Sequence, residues 1–277
     1  MYSCTQFFFL DSRDAARLGS TCRRFRTVFK VAWAAGAFQP TTDPADGMVL
    51  EPPGGRFCME ISPGEDIQSA LDACPAGGAV LLRRGVHALG SSIFLSRDVH
   101  VFGRGAATLR FGREAAEGGC AVRSTAPRAT IDGVLIRSPV CISVGEGALR
   151  VQGSDLLARG WAVSIHGPNA RPIIINNKIW RARIGIRVGE GGGGCITSND
   201  IVECSQGIRV ADVHAGLKAF GNLIRDSEGI GILLLSACPL SFLLGVNLFR
   251  ANPLGNVADH RTAGVVNGRR LPAQELS

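Results

Sequence analysis

Residues 185–188 read Gly-Ile-Arg-Val, and residues 207–210 read Gly-Ile-Arg-Val again. The copies lie 22 positions apart, and the same texture continues in both directions. Upstream stand Ala162-Val163-Ser164-Ile165 and Cys141-Ile142-Ser143-Val144, and downstream Gly229-Ile230-Gly231-Ile232, each a small residue followed by alternating apolar positions. A second marker keeps step with the first, a polar residue ahead of apolar ones. It occurs as Asp155-Leu156-Leu157, Asn177-Lys178-Ile179, Asn199-Asp200-Ile201, Asn222-Leu223-Ile224 and Asn247-Leu248-Phe249. Two markers in phase define an internal repeat of about 22 residues from residue 131 onward.

So short a repeat holds two or three short strands and no helix pair. Successive side chains of a strand alternate, so Ile186 and Val188 face one side and Arg187 the other, as do Ile208 and Val210 around Arg209. Such strands bury an apolar face only by stacking coil upon coil, about 4.8 Å apart. The fold read from this pattern is mainly β, a right-handed parallel β-helix over residues 58–260. Asn177, Asn199, Asn222 and Asn247 recur at the corners, where their amides would form a structural ladder, each able to donate and accept. The 36 glycines suit a fold of many turns and disfavour a helical bundle. Glycine does not recur at every third position, which excludes collagen.

The chain has 277 residues, 45% hydrophobic, 19% charged and 6% aromatic, with 30 basic and 23 acidic residues and a net charge of +7. That is a globular composition with a mild attraction for acidic partners. Basic runs are short, Arg23-Arg24-Phe25-Arg26 and Arg83-Arg84, so nucleic acid is not the expected partner. None of the nine cysteines form a CxxC pair, no secretory signal is visible, and the apolar stretch 229–246 is broken by Ser236, Pro239 and Ser241. The expectation is an intracellular chain, cytoplasmic or nuclear, with free thiols, no membrane span, no metal and no cofactor.

Asp66-Ile67-Gln68-Ser69-Ala70-Leu71-Asp72-Ala73 predicts a short amphipathic helix with Ile67, Ala70 and Leu71 on one face, closed by Pro75-Ala76-Gly77-Gly78. Strands are read at Val80–Val86, Val99–Gly103 and Ala107–Phe111. This helical end cap followed by the repeats resembles the pectin-lyase-like right-handed β-helix superfamily. The resemblance implies a polysaccharide lyase or hydrolase, or a carbohydrate-binding solenoid. That chemistry needs paired carboxylates, or a basic residue with a calcium ion held by clustered acids. The Asn-Thr-Asp, Asp-Asp, Gly-His-Gly and Arg-Ile-Lys elements of polygalacturonase-like members are missing, and Tyr2 is the only tyrosine.

Two catalytic candidates are left. His166 follows a strand in Ile165-His166-Gly167-Pro168-Asn169, and a base there needs a positioned partner. Asp200 reads as a lone acid, with Leu156, Lys178 and Leu223 at the equivalent positions. Gly103-Arg104-Gly105 and Gly191–Gly194 lack the Lys-Ser/Thr of a phosphate loop and read as turns. The binding candidates are two arginine columns, Arg137, Arg159 and Arg181 at 22-residue spacing, and Arg187 with Arg209. Stacked like charges mark either plain solvation or an anionic ligand such as an acidic glycan or a protein surface. The low aromatic share speaks against a sugar groove.

Residues 1–38 have a different texture. Leu10, Ala15, Leu18, Cys22, Phe25, Val28 and Phe29 recur at helical spacing, with Asp11 and Asp14 placed like a capping pair. The segment Leu10–Arg26, with its Cys22-Arg23-Arg24-Phe25, resembles the second half of an F-box, without the Leu-Pro helix that opens that family. The resemblance implies a Skp1-like protein bound through residues 7–36, with Leu10, Leu18, Cys22 and Phe25 in the contact. Residues 39–57 read as a proline-bearing linker and 261–277 as a tail. Combined, these features predict a non-catalytic recognition protein, an F-box-type substrate adaptor for a ubiquitin ligase, with the polysaccharide-active or carbohydrate-binding solenoid as the alternative.

Overall fold

The computed structural model describes residues 58–112, 119–212, 216–235 and 247–259. The chain divides between Glu51 and Pro52, and the description concerns the second unit. The expected N-terminal module, the linker and the tail lie outside the described residues.

In chain order the elements begin with β1 (Cys58–Ile61), helix α1 (Ile67–Ala73), β2 (Ala79–Leu82), β3 (Gly85–Leu89), β4 (Ile93–Leu95), β5 (His100–Phe111), β6 (Cys120–Ser124) and β7 (Thr130–Val144). They continue with β8 (Arg150–Gln152), β9 (Asp155–Ile165), β10 (Ile173–Ile175), β11 (Lys178–Trp180), β12 (Ile184–Val188), β13 (Cys195–Thr197) and β14 (Asp200–Val202). The last are β15 (Gln206–Val210), β16 (Lys218–Phe220), β17 (Leu223–Arg225), β18 (Ile230–Leu234), β19 (Leu248–Arg250) and β20 (Val257–Asp259).

These strands stack as three parallel sheets. The first runs through β1, β2, β5, β7, β8, β10, β13 and β16. The second runs through β3, β5, β7, β9, β11, β14, β17 and β19. The third runs through β4, β6, β7, β9, β12, β15, β18 and β20. Each later coil gives one strand to each sheet, while β5, β7 and β9 bend through corners and serve more than one. Parallel crossovers are right-handed in nearly all proteins, the hand expected of this solenoid.

Alternation fills the interior. Ile174, Ile196 and Ala219 point in from the first sheet, Leu156, Ile179, Ile201 and Ile224 from the second, and Val163, Ile186, Ile208 and Ile232 from the third. All are fully buried and join one continuous apolar cluster that reaches from Ile61 to Leu234. Helix α1 closes its N-terminal side. Asp66 caps it by accepting from the Gln68 N–H at 3.0 Å, and Ile67, Ala70 and Leu71 enter the same cluster.

Between the first and second sheets the chain turns in two residues. The first adopts positive φ: Gly153 at 57°, Asn176 at 55°, Ser198 at 56° and Gly221 at 66°. The second is Ser154, Asn177, Asn199 or Asn222, each buried. The Nδ2 of Asn177 donates to Asn199 Oδ1 at 3.0 Å, that of Asn199 to Asn222 Oδ1 at 2.9 Å, and that of Asn222 to Asn247 Oδ1 at 2.9 Å. Each Oδ1 also accepts a backbone N–H from the coil before, including Ser154 N at 3.0 Å. The ladder therefore begins at Ser154. Asp155, taken as the equivalent of Asn177 in the sequence, pairs instead with Lys178.

A column of small residues lines the third sheet: Ala121, Cys141, Ala162, Gly185, Gly207 and Gly231. Its last member is Gly231 and not Gly229, because Gln206 pairs with Ile230 and Ile208 with Ile232. Glycine is needed there for closeness. A Cβ on Gly207 would sit 2.4 Å from the Gly231 carbonyl oxygen and 2.6 Å from Ile224 Cγ2.

Two substitutions test this frame by thermal and urea melts. Asn199→Ala leaves the buried Asn177 N–H without an acceptor and should cost about 2 to 3 kcal/mol. Gly207→Ala overpacks the contact of β15 with the next coil and should cost about 1 to 3 kcal/mol. Wild-type stability in either variant would contradict the packing described.

Candidate functional site

Strand alternation puts one row of side chains on the outer face of the third sheet. Register makes that row Arg123, Ser143, Ser164, Arg187, Arg209 and Leu233, one residue per coil. Arg187 and Arg209 are direct neighbours, so the second arginine column exists as a pair of adjacent rungs. The Arg187 guanidinium lies 5.0 Å from the Trp161 ring centroid and 3.3 Å from Glu190 Oε1. Among the described residues no carboxylate pairs with Arg209. Burial, then the neighbouring guanidinium groups of Arg187 and Arg183, lower its pKa from the ordinary arginine value.

The corner leading into this sheet carries a shallow cleft of about 460 Å³, lined by Arg159, Arg181, Arg183, Glu203, Asp226 and Glu228, among others. Cations come from the earlier coils and acids from the later ones. Arg181 Nε donates to Glu203 Oε2 at 2.8 Å, and Ser205 Oγ donates to Glu228 Oε2 at 2.7 Å. Trp180, on the outer side of the second sheet, lies 5.1 Å from the Arg181 guanidinium and 5.3 Å from Lys178 Nζ. The first sheet differs, because its polar residues engage one another: Gln152 Nε2 donates to Asp132 Oδ2 at 2.8 Å and Arg150 Nε to Gln152 Oε1 at 2.6 Å.

Two readings need correction. Arg137 does not stack on Arg159. It aligns with Arg110 on one side and Leu157 on the other, because the step from β7 to β9 carries Leu135 onto Asp155, 20 residues on and not 22. Arg159 and Arg181 do share the cleft, joined by Arg183. Asp200 is not a lone acid. Its register neighbours are Lys178 and Leu223, with Asp155 beyond Lys178. Its carboxylate accepts from both Nε and Nη2 of Arg225, each at 2.9 Å. That bond, first among the causes, raises the Arg225 pKa. Asp200 is thus an ion-pair partner on the second sheet, away from the Arg187 row.

His166 does have a partner. Its Nε2 lies 2.9 Å from Ser143 Oγ, one coil earlier. No sequence motif marks Ser143, Trp161, Trp180 or Arg183, which the structure places beside His166, Arg187, Arg181 and the cleft. The signal for the tryptophans was position and not number, since two of the chain's three stand on neighbouring coils. Leu10, Leu18, Cys22 and Phe25 lie outside the described residues. Among the described residues no helix is long and apolar enough to cross a membrane, and no cluster of His, Cys, Asp and Glu has the makings of a metal site.

No family model matches this chain, and no curated protein matches it. Among solved structures, an alginate lyase from Paenibacillus sp. str. FPU-7 is similar over 74% of this chain and 98% of that one, with a TM-score of 0.45 and 12% sequence identity.

The six cysteines of the described residues are free thiols. Burial pushes Cys120 and Cys204 up to about 11 and raises Cys141 as well. At pH 8 iodoacetamide should therefore spare Cys74, Cys120, Cys141 and Cys204 while the fold is intact and modify them after denaturation. Peptide mass mapping reads the difference; equal labelling with and without denaturant would contradict the burial.

Proposed function

We propose that the solenoid binds an acidic polysaccharide laid along its axis across the Arg187 and Arg209 row. The carrying observation is that Arg187 and Arg209 stand on adjacent rungs, Arg187 between Trp161 and Glu190 and Arg209 with no carboxylate of the described residues paired to it. Stacked cations repel, and carboxylates of a ligand would turn that repulsion into charge-assisted hydrogen bonds. The rung spacing of about 4.8 Å is close to one sugar unit of an extended chain, so successive acidic units can meet successive arginines. Trp161 supplies the apolar surface on which a sugar ring rests. Arg159, Arg181 and Arg183 extend the basic surface around the corner. The ubiquitin-ligase adaptor role rests on residues 7–36, outside the described residues, and no feature of the solenoid supports it.

Affinity electrophoresis in gels containing polygalacturonate, alginate or neutral dextran tests the reading. The wild type should be retarded by the acidic polymers alone, less so as salt rises. Arg187→Glu with Arg209→Glu should weaken that binding at least about tenfold, as the loss of charge-assisted hydrogen bonds requires. Equal mobility in all gels, or an unchanged double variant, would contradict it.

A further inference from the structure

We propose that Ser143 is a nucleophile activated by His166, and that the two, with Arg123, form an acyl-ester hydrolysis site at the end of the basic row. Ser143 points out of β7 between inward-facing Ile142 and Val144 and is only partly buried. His166 follows β9 one coil later, anchored by its backbone N–H donating to the Val144 carbonyl at 2.9 Å. The register puts it beside Gly145, two positions past Ser143. The imidazole folds back across Gly145 to reach the serine. A Cβ at 145 would lie 3.3 Å from His166 Cε1, so the small residue leaves the ring its place. The result is the 2.9 Å contact between Ser143 Oγ and His166 Nε2, within reach for proton transfer. On the other side of Ser143, one rung away, stands Arg123, exposed and pointing the same way.

These three supply the parts that acyl transfer needs. With its own proton on Nδ1, His166 takes the Ser143 hydroxyl proton at Nε2 as Oγ bonds to the ester carbonyl carbon. Charge gathers on the carbonyl oxygen, where the Arg123 guanidinium can stabilise it. The carbon–oxygen bond to the alcohol then breaks, and His166 returns the proton to that alcohol. Water, deprotonated by His166, attacks the acyl-serine; Ser143 leaves with the proton, and a carboxylic acid is released. Arg187 lies two rungs from Ser143, about 10 Å by strand spacing, so an acidic unit held there places an ester-bearing unit two positions along the polymer near the serine. The choice of an O-acylated acidic polysaccharide as substrate rests on the binding reading above; the reactivity of Ser143 does not.

The full chain is treated with an alkyl fluorophosphonate and mapped by peptide mass spectrometry, and hydrolysis of 4-nitrophenyl acetate is followed in parallel. Ser143 should carry the adduct, and Ser143→Ala should lose both adduct and hydrolysis while keeping its melting temperature and its affinity for polygalacturonate. His166→Gln, which keeps a hydrogen-bonding side chain but no base, should slow labelling about 100-fold or more. Arg123→Ala should slow ester hydrolysis and leave the melting temperature unchanged. Absence of a Ser143 adduct, or labelling of His166→Gln at the wild-type rate, would overturn the proposal. A labelled Ser143 in a protein without affinity for acidic polymer would overturn only the substrate class.

Discussion

Everything in this solenoid depends on one requirement: each coil must find its backbone hydrogen-bond partners in the next coil at a fixed register. A strand of three residues has almost no stability of its own. It persists here because both edges are paired and its inward side chain meets those of two other sheets. The corners are where that scheme could fail, since a turning backbone exposes polar groups to an apolar interior. The buried asparagines answer this. The Asn199 Oδ1 accepts from the Asn177 backbone at 3.1 Å, and its Nδ2 donates to the Ile174 carbonyl at 2.9 Å. One side chain so satisfies groups on neighbouring coils and locks their register.

A fixed interior dictates the exterior. Once Ile186 and Ile208 stack inside, Arg187 and Arg209 must stack outside, whatever their mutual repulsion. The fold supplies the free energy that holds like charges together, and this is how a rigid scaffold can present an anion-binding row. Arg225 and Asp200 show the opposite outcome on the second sheet, where a cation meets an acid one coil away and the charges cancel. On the third sheet Arg187 lies against Trp161 and meets Glu190 at 3.3 Å, while Arg209 on the next rung pairs with no carboxylate of the described residues.

The coiled architecture, the end helix with Ile67, Ala70 and Leu71 on its buried face and the ladder from Asn177 to Asn247 were legible in the sequence, because inward positions must repeat chemically. The outer rows were harder to read. A constant period of 22 puts Arg137 in line with Arg159, yet the coils are of unequal length. Leu135 maps onto Asp155, Asp155 onto Lys178, and Leu223 onto Leu248, steps of 20, 23 and 25 residues. Extra residues are taken up at the corners, where loops tolerate them, and each displaces every outward residue that follows. The same drift moved the last small-residue position from Gly229 to Gly231. Arg225 was hidden for another reason: it stands opposite Val202 and reaches Asp200 diagonally, two positions along the next strand. The closeness of Ser143 and His166 needs the register plus a side-chain direction, and neither is carried by a motif. Counting aromatic residues concealed the tryptophans, whose placement matters more than their number.

The central claim is the register that sets the outward rows of the solenoid, and oxidative cross-linking of paired cysteine variants tests it most directly. Arg187→Cys with Arg209→Cys places two thiols on adjacent rungs, within the roughly 4.4 to 6.8 Å Cα separation that a disulfide spans. Arg137→Cys with Arg159→Cys places them two positions out of line and beyond that reach. The account predicts rapid formation of the 187–209 disulfide and none between 137 and 159, read by non-reduced peptide mapping. A 137–159 disulfide, or failure of the 187–209 pair to close, would contradict it.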